Sequence, residues 1–279
     1  MKQGTRSSTE KFKYNGRTAV RKIYNSKNDS PSDKASRELR FYRRYRHLDI
    51  IPELLDTDES TYIVLGFRRG RRHIDLIHEG LTDSQNRAIS YAYGSRVAEF
   101  FHHADKGALP PTDTADVIAN LVRAGREAIQ TDRRYDVAEL RASLTKVESA
   151  AADDAWADPM LGKFDWSSAN MLIEDTVLTC LYDFDSSYLG TRLTFLGNII
   201  NSCLHLEWRQ VRQGLEDHAV VLPSHDLADA AAHFSMWQKA LASYRKTRIN
   251  WPPPREFVSK LRDLSIKVRG PHAGDCFVR

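Results

Sequence analysis

The chain has 279 residues, a formal net charge of +4, 41% hydrophobic and 28% charged residues, which is the composition of a globular chain with a proper core, enough for one large or two modest domains. Three cysteines, Cys180, Cys203 and Cys276, stand too far apart and in the wrong number for a disulfide frame or a zinc site. No apolar run approaches the length of a membrane span, and the opening MKQGTRSSTEKF is too polar for a secretory signal, so the expected address is the cytoplasm.

In chain order, a polar, Ser-rich stretch from Gly4 to Thr9 comes first, read as a loop. Residues 11–24 (KFKYNGRTAVRKIY) then read as two strands joined at Asn15-Gly16, a strong hairpin signal. Ser32 or Asp33 is placed to cap a helix running to about residue 46, with Ala35, Leu39 and Tyr42 on one face. Ile50 to Leu55 is extended around Pro52, and the β-branched run 61–67 (TYIVLGF) is a strand that stops at a loop bracketed by Gly66 and Gly70. That loop is the predicted boundary between a first domain, residues 1–66, and a second, residues 67–279.

Beyond it the spacing turns helical. Thr82 caps a helix over 83–103 whose apolar stripe is Ile89, Tyr93, Val97, Phe100 and Phe101. Helices are expected at 113–130, 135–152, 192–213, 226–246 and 255–268, with Pro110-Pro111 and Pro252 to Pro254 as breaks. Basic clusters at 37–46 and 68–72 have a charge that suits phosphates, but the helical spacing of 34–46 makes the first a solvated helix face, so nucleic acid is not an expected partner.

The segment 161–190 (LGKFDWSSANMLIEDTVLTCLYDFDSSYLG) carries the chemistry. Asp165 precedes Asn170 by five residues; MLI at 171–173 and the apolar run 176–184 read as strands turning at Glu174-Asp175. A hairpin of that register brings Asn170 beside Asp183, with Asp185 two residues on. Mg²⁺ is a hard ion that takes carboxylate, amide and phosphate oxygens, so this grouping suits a metal-bound nucleoside triphosphate with one carboxylate left to handle a hydroxyl proton.

These residues resemble the aminoglycoside phosphotransferase and choline kinase-like branch of the protein kinase-like fold over roughly residues 4 to 200. The pattern His-Gly-Asp-x-x-x-x-Asn, then Ile-Asp-[Phe/Trp]-[Asp/Glu], stands here as Lys163-Phe164-Asp165-Trp166-Ser167-Ser168-Ala169-Asn170 and Tyr182-Asp183-Phe184-Asp185, with Lys163 and Phe164 departing from it. The resemblance implies an α+β, two-lobed fold with a β-rich N-lobe and a helical C-lobe. It implies transfer of the γ-phosphoryl of ATP, with Mg²⁺, to a hydroxyl of a small molecule such as an antibiotic, sugar or amino alcohol. By the same resemblance Asp165 is the catalytic base, Asn170 and Asp183 are Mg²⁺ ligands, and Asp185 is a further acidic ligand.

Thr18 to Ile23 resembles the strand carrying the phosphate-binding lysine; direct alignment puts Arg21 at that position, and Lys22 stays open, since alternation lets only one face the cleft. Glu38 is placed to pair with that cation. Ser7 and Ser8 would cover the phosphates, and backbone groups near Leu65 to Phe67 would meet adenine. Trp166, beside the base, is a candidate acceptor contact. The same residues would also serve a nucleotide-binding module without turnover or, given the basic clusters, a kinase of a protein or surface glycolipid.

Overall fold

A computed structural model describes residues 7–24, 31–103, 114–150, 158–163, 165–202, 205–247 and 252–269. The chain forms two compact units, each assembled from separate stretches: residues 1–103, 165–188 and 205–220 in the first, and 104–164, 189–204 and 221–279 in the second. The loop from Gly66 to Gly70 lies inside the first unit.

The first unit opens with a four-stranded antiparallel sheet of order β1-β2-β4-β3, from β1 (Ser7–Tyr14), β2 (Arg17–Tyr24), β3 (Leu54–Thr57) and β4 (Tyr62–Gly66). Asn15 and Gly16 both adopt positive φ, the two left-handed residues that a tight hairpin turn needs. Pairing of Ser7 with Tyr24 through Tyr14 with Arg17 fixes β1 on β2, and Ala19 with Gly66 through Ile23 with Tyr62 fixes β2 on β4. Helix α1 (Pro31–Arg44) begins on the proline itself, one residue before the expected caps, where the missing N–H costs nothing. It buries Ala35, Leu39, Phe41 and Tyr42.

Two short elements had no sequence signal: β5 (Arg71–Arg72) and α2 (His73–Glu79), which closes on Gly80 in the left-handed conformation. Helix α3 (Asp83–His102) starts with a capping box between Thr82 and Gln85 and buries all five residues of its predicted stripe. The hairpin β7 (Met171–Glu174) and β8 (Val177–Leu181) joins β5 in a three-stranded sheet, turning at Asp175-Thr176, one residue later than expected.

The predicted helix over 192–213 is instead two, α6 (Arg192–Ser202) in the second unit and α7 (Trp208–Asp217) in the first. Tertiary packing overrides the periodicity: α7 lies against α3, a Cβ added to Gly94 would collide with the carbonyl of Val211, and the Glu207 N–H donates to Ser90 Oγ at 2.9 Å.

The second unit is helical: α4 (Thr114–Thr131), α5 (Ala138–Ser149), α6, α8 (His225–Thr247) and α9 (Pro254–Arg269), with β6 (Pro159–Lys163) pairing with β9 (Ser187–Thr191). Neither of those strands was expected. Leu140, Leu144, Phe195, Trp237, Phe257 and Leu261 are buried in its core. Gly4, Phe164, Pro110 and Pro111 lie outside the described residues. No helix among the described residues is long and apolar enough to cross a membrane.

Candidate active site

Every side chain of the candidate site belongs to the first unit. Its centre is Lys22, whose ammonium donates to Glu38 Oε2 at 2.6 Å and to Asp183 Oδ1 at 2.5 Å. Strand alternation decides which cation arrives there. Residues 18, 20, 22 and 24 of β2 share one face, and Arg21 takes the other. Arg21 pairs with Glu10 at 3.1 Å and lies over the rings of Phe12 and Tyr62. The alignment that favoured Arg21 is therefore off by one: on the face turned to α1 the cation is Lys22.

Glu38 is fully buried and gathers three donors. Besides Lys22, the Tyr24 hydroxyl donates to Oε2 at 2.7 Å and the Phe184 N–H donates to Oε1 at 3.1 Å. One carboxylate thus ties α1 to β2 and to the backbone after Asp183. Burial by itself would lower the Lys22 pKa; the carboxylates of Glu38, Asp183 and Asp185 outweigh it and hold the ammonium above the ordinary lysine range. For the Tyr24 phenol burial itself raises the pKa and the Glu38 carboxylate adds to it, so it stays a donor. Sequence reading missed Tyr24; its signal was there, two residues beyond Lys22 on one strand face.

Asp183 adopts φ +64°, a left-handed conformation that Asp tolerates better than most residues. The turn sends its side chain, 40% exposed, towards Lys22 and sends Phe184 into the core. Phe184 stacks on Phe41 at 4.0 Å with planes 10° apart and meets Tyr42 edge-on. Arg37 Nε donates to the Asp185 carbonyl at 3.0 Å, and Ser187 Oγ to the Arg37 carbonyl at 2.6 Å, fixing the rest of the segment on α1.

The other half of the site stands at the start of the β7–β8 hairpin. Met171 pairs with Leu181, and the Tyr182 N–H donates to the Asn170 carbonyl at 3.2 Å, which places Asn170 one residue from Asp183 across the ladder. Asn170 Nδ2 donates to Asp165 Oδ2 at 3.1 Å, and the Ser167 N–H donates to Asp165 Oδ1 at 3.0 Å. Asp165 is exposed, while Asn170 is buried. With its nitrogen turned to Asp165, the Asn170 amide keeps its oxygen for another partner.

Among the described residues no three His, Cys, Asp or Glu side chains converge as a self-sufficient metal site. The Asp183 carboxylate and the Asn170 amide oxygen do fit Mg²⁺, which usually takes one or two protein oxygens and completes its shell with water and phosphate. Asp185 lies close enough to add to the field on Lys22.

Three expectations change. Ser7 and Ser8 are not in a loop: they pair with Tyr24 and Ile23 on β1. Trp166 is fully buried and meets Phe100 edge-on at 5.6 Å, so it supports the Asp165 loop from inside and faces no acceptor. At the end of β4, the N–H groups of Gly66 and Phe67 already donate to Glu53 and Thr18 carbonyls at 2.8 and 3.2 Å, and Leu65 sits in the ladder between Val20 and Leu54.

A small antiparallel N-lobe sheet whose lysine on β2 pairs with a glutamate on α1, and a helical C-lobe, define a kinase-like phosphotransferase fold. The APH model, described as the phosphotransferase enzyme family, matches residues 2–219, and the chain belongs to that family. Among solved structures it is similar to a thermostable mutant of aminoglycoside phosphotransferase APH(4)-Ia in a ternary complex with AMP-PNP and hygromycin B (16% identity, TM-score 0.62, covering 97% of this chain and 93% of that one). It is also similar to apo macrolide 2'-phosphotransferase MphH from Brachybacterium faecium (16%, 0.61, 96% and 90%). A third is the gentamicin complex of APH(2")-IIa (14%, 0.61, 95% and 89%). No curated protein matches the sequence.

Proposed function

We propose that the chain transfers the γ-phosphoryl group of ATP to a hydroxyl of a small molecule, with residues 1–66 acting as the N-lobe and 67–279 as the C-lobe. The observation that carries this is Lys22 bonded at once to Glu38 and Asp183, with Asn170 and Asp165 bonded together at the adjoining strand end. Lys22 binds phosphate oxygens, and Glu38 and Tyr24 hold it in place. Asp165, exposed and anchored at both oxygens, orients the acceptor hydroxyl and takes its proton as the new O–P bond forms and the bond from Pγ to the ADP oxygen breaks. Asp183 and Asn170 are the ligands for Mg²⁺, with Asp185 as a further acid; the ion supplies charge neutralisation at the transferring group. A preassembled lysine–glutamate pair supports turnover over nucleotide binding alone. The acceptor class is that of the structural relatives, antibiotics among them, and the cytoplasm is the address this reading implies.

The test is ADP release and acceptor phosphorylation with Mg-ATP across a panel of aminoglycosides, macrolides, sugars and amino alcohols. Asp165→Ala should lower kcat about 10²-fold or more, and Arg21→Gln, which touches none of the cluster, should leave it unchanged. Full activity in both Asp165→Ala and Asp183→Ala would overturn the assignment.

A further inference from the structure

The Asn170 amide and the Asp183 carboxylate can share one ion only if the spacing between them is fixed. The bonds already described hold each of them separately: Asp165 turns the Asn170 amide, and Lys22 holds one oxygen of Asp183. Tyr182 joins the two. Pairing of Met171 with Leu181 sets Tyr182 opposite Asn170 at the open end of the β7–β8 hairpin, and Asp183 is the next residue.

Two bonds run from Tyr182 to the turn that carries Asp165 and Asn170. Its N–H donates to the Asn170 carbonyl at 3.2 Å, the long end of the range for such bonds. Its hydroxyl donates to the Ala169 carbonyl at 2.5 Å, the short end of the range for an O–H donor. A carbonyl can only accept, so the phenol is the donor. The two carbonyls belong to the peptide planes on either side of the Asn170 Cα. Holding both planes fixes the backbone angles of Asn170 and therefore the point from which its side chain starts. On the other strand Asp183 stands at φ +64°, a conformation uncommon for a residue other than glycine. Tyr182 is thus the joint between that turn and the amide across from it. The family pattern carries isoleucine at this position, and isoleucine has no side-chain donor, so the hydroxyl clamp is a feature of this chain.

We propose that Tyr182 is a positioning residue for the metal: its hydroxyl, bonded to the Ala169 carbonyl, holds the Asn170 amide at the spacing from Asp183 that one divalent ion requires. The inference rests on the phosphotransfer reading and on its metal ligands.

The test titrates Mn²⁺, a stand-in for Mg²⁺ read by electron paramagnetic resonance, into the full chain in the presence of AMP-PNP. Tyr182→Phe keeps the ring and removes the hydroxyl alone. It should weaken Mn²⁺ binding and lower kcat for ADP release about tenfold each, with metal-free AMP-PNP affinity within about twofold of wild type. Raising Mg²⁺ should recover part of that kcat. A melting temperature no more than about 6 °C below wild type shows that the variant folds. Tyr182→Leu should weaken Mn²⁺ no further than Tyr182→Phe does. A hydroxyl with a purely structural role would move the melting temperature and leave Mn²⁺ affinity at the wild-type value, which overturns the proposal. So does a loss confined to Tyr182→Leu, which makes the ring responsible. Wild type that binds Mn²⁺ with AMP-PNP but turns over nothing sinks the phosphotransfer reading, while weaker Mn²⁺ binding in Tyr182→Phe would still support the positioning role. Wild type that binds no Mn²⁺ sinks the ligand assignment and this proposal with it.

Discussion

Replacing Glu38 with glutamine removes the charge on which Lys22, Tyr24 and the Phe184 N–H converge, with almost no change in volume. The glutamine oxygen can serve one side of the site, but its NH₂ must then face a donor on the other. A hydrogen bond to a charged group contributes about 1.5–3 kcal/mol, and removing one partner of a buried ion pair costs about 3–5 kcal/mol because the other charge is left uncompensated. Asp183 still faces Lys22, which limits the loss, so about 3–4 kcal/mol is expected. At about 2–4 °C per kcal/mol for a domain of this size, the melting temperature should fall by about 6–16 °C. Thermal unfolding followed by circular dichroism at neutral pH reads the shift. The double variant Glu38→Gln with Lys22→Met should lose less than the sum of the singles, since the stranded charge has gone. A Glu38→Gln protein melting within about 2 °C of wild type would refute the view that this carboxylate holds α1, β2 and the Asp183 turn together.

Two further outcomes follow from packing and titration. Gly94→Ala gains about 1 kcal/mol of helix propensity, yet the new Cβ meets the Val211 backbone and forces α3 from α7, an overpacking cost of about 1–3 kcal/mol or more. The clash should win, and a variant as stable as wild type in urea would show that the helices do not cross there. In the second unit, Trp237 Nε1 can only donate, so Ser143 accepts from it and donates to His233 Nδ1; His233 Nε2–H then faces Ser265, which donates to Asp229. This arrangement needs neutral His233, and burial lowers its pKa to about 4, as it does for His73. The unfolded chain takes up those protons first, so each histidine contributes stability that is present above about pH 6.5 and lost as pH falls towards 4, about 3 kcal/mol apiece. Chemical denaturation across that window should show the decline, and His233→Gln should flatten it; a profile identical to wild type would refute the relay.

Local chemistry announced much of this protein. Asn15-Gly16 demands left-handed turn residues, Thr82 and Gln85 form a reciprocal cap, and Asp165, Asn170 and Asp183 flank the two open ends of one hairpin whose register is set by alternation; all of these are short-range, so the sequence by itself determined them. What only the tertiary structure decided is phase and commitment. Alternation says that Arg21 and Lys22 point to opposite faces, but which face α1 covers depends on pairing with β1 and β4 and on where Glu38 lands. The same holds for Tyr24, whose role exists only once Glu38 arrives, and for the N–H groups of Gly66 and Phe67, which distant carbonyls consume. The break between α6 and α7 and the placing of Ser7 and Ser8 on β1 also come from partners far away in the chain, where a periodic pattern carries no information about which neighbour will bury it.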